Sequence, residues 1–110
     1  MAIKVNGKDM KDAVIKTDQF ELRLLDLTPE GMKVSVKDTT GESFTFVPRF
    51  FSMAYPDTKV VNARDTGITV VPSKQTVEVS IQFAEKLHLE RMMSFELRYF
   101  RKRLAEISIE

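Results

Sequence analysis

Apolar and polar residues alternate one by one in four stretches of this chain, and that period of two constrains the fold more than any other feature of the sequence. The four stretches are 20–24, 32–37, 43–46 and 77–83. Successive side chains of a β-strand point to opposite faces, so each stretch builds one apolar face and one polar face. Sheets with one solvated face are usually antiparallel. The alternation therefore predicts a layered, antiparallel β structure.

Turn-forming residues separate the alternating stretches. Pro and Gly in 28–31 suit a type I turn, 38–42 is a polar loop with one glycine, and Asn6-Gly7 is the favoured pair of a two-residue hairpin loop. Several short strands with regular turn signals are typical of a sandwich or a barrel. We expect seven to eight strands. The strand-like segments cover about 13–17, 19–27, 32–37, 43–48, 58–62, 67–71, 75–83, 94–100 and 104–109.

The stretch near the C-terminus allows a second interpretation, because it is rich in good helix formers. A helix over about 86–104 would place Glu96 within the apolar stripe and would turn Phe95 and Tyr99 away from it. As strands, the same residues keep Phe95 and Tyr99 on one face and Glu96 on the other. We therefore predict strands here, with 101–103 as the loop before the last one. The alternative is an α+β domain whose C-terminal helix over about 86–104 covers a sheet.

Composition excludes several classes of protein. The chain has 110 residues and no cysteine, which excludes a disulfide framework, zinc fingers, iron–sulfur ligation and thiol catalysis. A single domain over 1–110 is the expectation for this length. Lys and Arg total 17 against 16 Asp and Glu, and the net charge of +1 gives no overall field that attracts nucleic acid or an anionic membrane.

Neither a membrane span nor a secretion signal stands out in the sequence. Uninterrupted apolar runs reach only two or three residues, so we expect no transmembrane segment. The first residues lack the apolar core of a signal peptide. We expect an extracytoplasmic or cell-surface location if a leader was removed, and a cytoplasmic location otherwise.

Catalytic and metal-binding patterns are missing from the sequence. His88, the one histidine, stands between Leu87 and Leu89 and is more typical of a loop residue than of a general base or metal ligand. The carboxylates are dispersed without a calcium-loop pattern, and the four glycines form no phosphate-binding loop. We therefore predict no enzyme activity, no cofactor and no metal.

Basic residues cluster near the C-terminus. From residue 86 to 103 there are six Lys and Arg against two Glu, and Tyr99 and Phe100 lie among them. Such a surface could contact phosphate, anionic lipid or an acidic protein. A solvated hairpin whose charges protect a strand edge explains the same residues, and we favour it because nucleic-acid binders show wider basic fields. The candidate contact residues of this cluster are Arg98, Arg101, Lys102 and Arg103.

The segment 50–55 has four large apolar residues in six and no alternation. If it lies in the core, it is a strand that crosses between sheets with both faces buried; if it is partly exposed, it is a docking patch. We favour the core, because a small sandwich without tryptophan needs aromatic filling. Phe50, Phe51 and Tyr55 remain candidate partner contacts.

The order of features resembles the telokin-like, immunoglobulin-type β-sandwich domains of bacterial secreted lipoproteins and surface proteins. The resembling stretches are 32–38, 44–48, the proline-containing turn and strand of 68–73 and 77–83, the segment 95–99 and the short closing strand 107–109. The chain differs from the pattern in lacking a leader and a lipobox cysteine, and in having Ser73-Lys74 where glycine is common. The resemblance implies an all-β, antiparallel, immunoglobulin-like sandwich of seven to eight strands, whose relatives are mostly adhesive, binding or uncharacterised.

These observations together favour a non-catalytic interaction module of the bacterial surface-protein type. We expect it to contact another protein, or itself, through end loops or an exposed strand edge. The first alternative is a structural subunit of a phage or secretion assembly. The second, weaker alternative is binding of nucleic acid or an anionic surface through the basic hairpin 98–103, with nucleic acid an unlikely partner given the balanced charge.

Overall fold

Eleven strands and one short helical turn make up the described part of the chain. The computed structural model describes residues 2–5, 10, 12–57 and 59–110. The strands are β1 (Ala2–Val5), β2 (Ile15–Lys16), β3 (Phe20–Thr28), β4 (Gly31–Asp38), β5 (Phe44–Phe46), β6 (Phe51–Ala54), β7 (Val60–Asn62), β8 (Thr69–Val71), β9 (Thr76–Gln82), β10 (Ser94–Tyr99) and β11 (Lys102–Ile109). A 3-10 turn spans Pro48–Phe50. The predicted Asn6-Gly7 turn lies outside the described residues.

The strands form three sheets. A five-stranded sheet has the order β1-β11-β10-β6-β7, a four-stranded sheet has the order β2-β3-β4-β9, and β5 pairs with β8 in a small third sheet. All the named pairs are antiparallel except β1 with β11, which run parallel. The predicted all-β sandwich is confirmed. The alternative helix over 86–104 is not present, because β10 and β11 occupy that region as an antiparallel pair.

Two strands lie outside the nine strand-like segments of the alternation and raise the count above seven to eight. The first, β1, is a four-residue strand whose partner lies a hundred residues away, so no local turn reveals it. The second, β6, falls in the segment 50–55, whose lack of alternation fits its burial on both faces. The core interpretation expected this strand to cross between sheets, and that expectation is wrong. It lies within the five-stranded sheet, between β10 and β7.

The buried residues follow the alternation of the sequence except where a bulge shifts the register of a strand. In β3, Leu22 and Leu24 are fully buried, and the register then shifts between Leu24 and Asp26 so that Leu27 becomes the next buried residue. A bulge inserts one residue into a strand and restores the apolar face after a break in the pattern. Each fully buried aliphatic side chain of this kind contributes about 1.5–3 kcal/mol to folding. The alternation therefore supplies both the layers and most of the core.

A buried carboxylate joins two loops at the end of the sandwich where β4 ends. Asp38 is 2% exposed, and its Oδ2 atom accepts hydrogen bonds from the backbone N–H groups of Gly41 and Lys74, at 3.0 and 2.8 Å. Its Oδ1 atom accepts from the backbone N–H and the hydroxyl of Thr40, at 3.0 and 2.8 Å. The N–H donor of Lys74, followed by the Thr40 and Gly41 donors, lowers the pKa of Asp38 from 3.8 to about 2.

Candidate binding groove

The β10–β11 hairpin closes through a two-residue turn with an unusual sequence. Tyr99 pairs with Lys102, which leaves Phe100 and Arg101 as the turn, with φ angles of +52° and +64°. Positive φ at both positions is the signature of a type I′ turn, which strongly favours Asn-Gly. A non-glycine residue in this region is strained by about 1–2 kcal/mol. The predicted 101–103 loop is therefore wrong in extent, because Lys102 and Arg103 already belong to β11.

The strained turn presents an aromatic ring to solvent. The side chain of Phe100 is 61% exposed, and its ring lies 4.8 Å from the ring of Phe50 between centroids. The backbone N–H of Phe100 donates to the carbonyl oxygen of Phe50 at 2.9 Å. The guanidinium of Arg49 lies 5.4 Å from the Phe50 centroid, within cation–π range. The tip of the hairpin thus exposes the ring of Phe100, which rests against the half-buried ring of Phe50 with a cation beside it.

A buried aromatic cluster supports this tip. The ring of Tyr99 stacks on Phe46 at 5.4 Å and contacts Phe20 and Phe51 at 5.5 and 4.9 Å. The Tyr99 hydroxyl accepts a hydrogen bond from the backbone N–H of Val47 at 3.3 Å, and burial raises the pKa of this phenol above 10.0. Because these contacts reach three sheets, the hairpin has a fixed position relative to the rest of the domain.

A groove of about 600 Å³ runs beside the hairpin, and we call it the hairpin groove. One set of lining residues, 15–20, comes from β2, the start of β3 and the turn between them. Thr17 fixes this turn, because its hydroxyl oxygen accepts from the backbone N–H groups of Gln19 and Phe20. The remaining lining residues are Thr45, Phe50, Tyr99, Phe100, Lys102, Arg103 and Leu104. The groove therefore lies between an edge of the four-stranded sheet and the hairpin.

The charges that line the groove are mainly positive. Lys16, Lys102 and Arg103 line it together with one carboxylate, Asp18. Lys16 and Lys102 form no ion pair with any residue that the structure describes. Since Lys102 lies directly opposite Tyr99 in the register, both side chains occupy the same face of the sheet. The aromatic side of the hairpin thus also has a cation, Lys102, that forms no ion pair within the described part of the chain.

The structure separates the predicted basic cluster instead of gathering it into one patch. Arg98 lies opposite Arg103, on the face away from Tyr99. There, Nε of Arg98 contacts Oε1 of Glu96 at 2.7 Å, and Nη2 of Arg103 lies 3.7 Å from Oε2 of Glu106. Two of the four predicted contact residues therefore have carboxylate neighbours, whereas Arg101 and Lys102 have none within the described ranges.

The three aromatic residues of 50–55 that were predicted as partner contacts lie in different parts of the structure. Phe50 is half-buried and lines the hairpin groove. Phe51 is 1% exposed, so its assignment as a partner contact is corrected: it faces the core. Tyr55 follows the opposite end of β6, where its ring lies 5.0 Å from that of Phe95 and its hydroxyl accepts from the N–H of His88. Only Phe50 of this segment belongs to the groove.

Sequence reasoning missed half of the groove. Lys16 and the turn 17–20 showed no signal, because alternation identifies strands but not which edges come together. His88 is an exposed loop residue, as predicted, and its Nε2 atom lies 2.6 Å from Oε1 of Glu90. The described residues contain no group of three or more metal-ligating side chains and no helix long and apolar enough to cross a bilayer.

Comparison with protein-family models, curated proteins and solved structures gave no match to this chain. The function of the hairpin groove is therefore inferred from its own residues.

Proposed function

We propose that this chain is a non-catalytic binding module that recognises another protein at the hairpin groove. The observation that carries this is the strained turn at Phe100 and Arg101, which holds a large apolar ring in solvent. Strained backbone persists where the surroundings enforce it, and it concentrates at functional sites. An Asn-Gly turn would close the same hairpin without strain and without the exposed ring.

The surroundings of the turn support the same function. Aromatic residues and arginine are enriched at binding interfaces, where a few anchors provide most of the affinity. Here the rings of Phe50 and Phe100 contact each other edge to face, beside Arg49 and Arg101. A rigid sandwich that presents recognition residues on an end loop is a common arrangement of binding domains, and the resemblance to adhesive β-sandwiches implies the same class.

Site-specific photo-crosslinking tests this function. A benzoylphenylalanine at position 100 is expected to capture a defined protein in the cells that produce the chain. Met92 is a matched control position, because it is 86% exposed, has a φ of +72° and lies beside Ile109, about 23 Å along β11 from the turn. Capture at 100 that is lost with Lys16→Glu and Lys102→Glu supports the function. No capture, or the same products from both positions, contradicts it.

A second candidate is contact with an anionic surface through the same hairpin. It is favoured by the exposed Phe100 next to Arg101, an apolar residue and a cation that suit the interface of a bilayer. It is weaker because Arg98 and Arg103 have carboxylate neighbours, so the hairpin has few free cations. Sedimentation with vesicles containing phosphatidylglycerol tests it: salt-sensitive binding that Arg101→Glu abolishes supports this function, and no binding rejects it.

A further inference from the structure

One edge of β11 has no neighbour among the described residues along half of its length, and we call this half the open edge. The described residues of β1 pair with β11 only at Glu106–Ile109, beginning with Ala2 opposite Glu106. On that side, no described residue pairs with Lys102–Ala105, although the strand continues through it. Four residues of strand offer an edge of about 13 Å. This open edge borders the hairpin groove, because Lys102, Arg103 and Leu104 line it.

A bulge marks the same stretch of β11. Leu97 pairs with Ala105 and Arg98 pairs with Arg103, so Leu104 is the extra residue without a partner in β10. The extra residue of a bulge stays outside the ladder of its partner strand. Leu104 is half-buried and lines the groove. The backbone at this point therefore borders the groove without being paired to a neighbouring strand.

Building on the proposed function, we infer that the partner inserts an extended acidic segment into the hairpin groove and adds it as a strand to Lys102–Ala105, in line with β1. Strand addition to an open sheet edge is an established mode of peptide recognition, in which main-chain hydrogen bonds give affinity and side-chain pockets give specificity. The groove supplies both the edge and the pocket.

The charges of the groove select the acidic strand. Lys16 and Lys102 lack ion-pair partners among the described residues, and Asp18 is the single carboxylate in the lining. Lysines on an open edge disfavour pairing with most other strands. A strand that has carboxylates is attracted to the same lysines. The floor of the groove includes Phe20 and Phe50, which provide an apolar contact for a neighbouring side chain of the strand.

A peptide fits this edge better than a phosphate group does. Unpaired strand backbone presents both N–H donors and C=O acceptors. Phosphate oxygens at neutral pH mainly accept hydrogen bonds, so they satisfy the N–H groups and leave the carbonyl groups unpaired. An extended peptide satisfies both. The occupant we assign is therefore a protein segment with at least two carboxylates and one large apolar residue.

Selection from a random peptide library tests this assignment. The protein is immobilised through its C-terminus, which follows Ile109 at the end of β11 opposite the open edge. Peptides of about twelve residues are selected, and the enriched sequences are synthesised and their affinities measured by fluorescence anisotropy. We expect acidic sequences with an interspersed large apolar residue. Enrichment of basic or uncharged sequences, or no enrichment, overturns the inference.

Charge reversal separates the groove from the rest of the surface. The pair Lys16→Glu and Lys102→Glu is expected to weaken the selected peptide by roughly tenfold or more, a loss of about 1.4 kcal/mol. The pair Lys86→Glu and Arg91→Glu makes the same change in net charge in the loop before β10 and is expected to change affinity less than about twofold. Equal losses in both pairs contradict recognition at the groove.

Backbone methylation of the peptide tests strand addition itself. N-methylation at alternate residues removes the N–H donors from one edge of the peptide strand. Two peptides are compared, one methylated at odd and one at even positions. One of them should bind roughly tenfold or more weakly, and the other should bind within about twofold of the unmodified peptide. If neither methylated peptide binds more weakly although charge reversal weakens binding, the groove binds proteins in another way. The proposed function then stands and strand addition is wrong. If phosphatidylglycerol vesicles compete and the peptides do not bind, the anionic-surface function replaces both.

Discussion

Asp38 is the one charged residue with a buried side chain among the described positions, and its role is structural. Four donors from Thr40, Gly41 and Lys74 surround its two oxygen atoms. Lys74 itself has a φ of +58°, so the carboxylate holds a left-handed residue in place. By joining the loop after β4 to the turn before β9, Asp38 fixes the end of the sandwich that contains β5.

Substitution Asp38→Asn is expected to lower the urea midpoint of unfolding at pH 7, because the amide keeps one acceptor and places an N–H₂ group against backbone donors. The pKa of Asp38 in the folded chain is about 2, below its ordinary 3.8, so the charged form stabilises the folded state above pH 3.8. That contribution is lost as the pH falls from about 4 to about 2. Urea titrations at several pH values should show the difference between wild type and variant shrinking across this window.

Asp57→Asn is the matched control, since Asp57 is exposed and accepts a hydrogen bond from the backbone N–H of Lys59 at 3.1 Å. Its urea midpoint should stay close to that of the wild type at every pH. A constant difference between Asp38→Asn and wild type down to pH 2 would contradict the role given to the Asp38 charge.

Among the elements, the two-residue turn between β10 and β11 is less stable than an unstrained turn would be, and it exposes an aromatic ring. Arg101→Gly relieves a left-handed arginine and keeps Phe100, so the free energy of unfolding should rise by roughly 0.5–1 kcal/mol while partner capture is retained. Phe100→Asn combined with Arg101→Gly creates the favoured turn and should be at least as stable, but it should lose affinity for the partner identified by crosslinking. Thermal unfolding and partner affinity, measured on both variants, separate the effect of backbone strain from the effect of the aromatic contact.

Loss of capture by Arg101→Gly alone would show that the guanidinium, and not the ring, makes the contact. Destabilisation by the double substitution would show that the native turn is not strained. Either result contradicts the account of this element.

The regular alternation in 20–24, 32–37 and 77–83 was enough to predict β3, β4 and β9, because each strand packs one face on the core. Alternation also distinguished β10 and β11 from a helix. It could not reveal β1, since a four-residue strand parallel to β11 depends on a contact between the two ends of the chain. Bulges were equally invisible, because an extra residue such as Leu104 changes register without changing composition.

The site was less predictable than the fold. Phe50, Lys102 and Arg103 were identified from composition and local charge, but the same reasoning included Phe51, which the core buries, and Arg98, which does not line the groove. Whether a side chain on a strand faces the groove depends on register, and the register shifts at the bulge. Lys16 belongs to the groove only because two sheets meet there, which no local pattern encodes.

At the scale of the whole molecule, Phe46 joins the three sheets. It belongs to β5, is fully buried, and its ring contacts Phe20 of the four-stranded sheet and Phe51 and Tyr99 of the five-stranded sheet. Phe46→Ala should lower the free energy of unfolding by about 3–5 kcal/mol, a large part of the stability of a domain this size. Chemical denaturation should still show one cooperative transition.

Phe100→Ala is the control for this loss, since an aromatic ring that is 61% exposed should contribute within about 1 kcal/mol. A small effect of Phe46→Ala, or two separate transitions, would indicate that the small β5–β8 sheet is not part of the same cooperative unit.

We propose that this sandwich binds its partner at the hairpin end, and the affinities of two matched variants for that partner test the proposal. Phe100 and Met92 are both large, apolar, exposed residues with positive φ, at opposite ends of the five-stranded sheet. With the partner identified by crosslinking, Phe100→Ala is predicted to raise the Kd roughly tenfold or more, and Met92→Ala less than about twofold. Equal effects of the two substitutions, or a larger effect at Met92, would contradict the proposal.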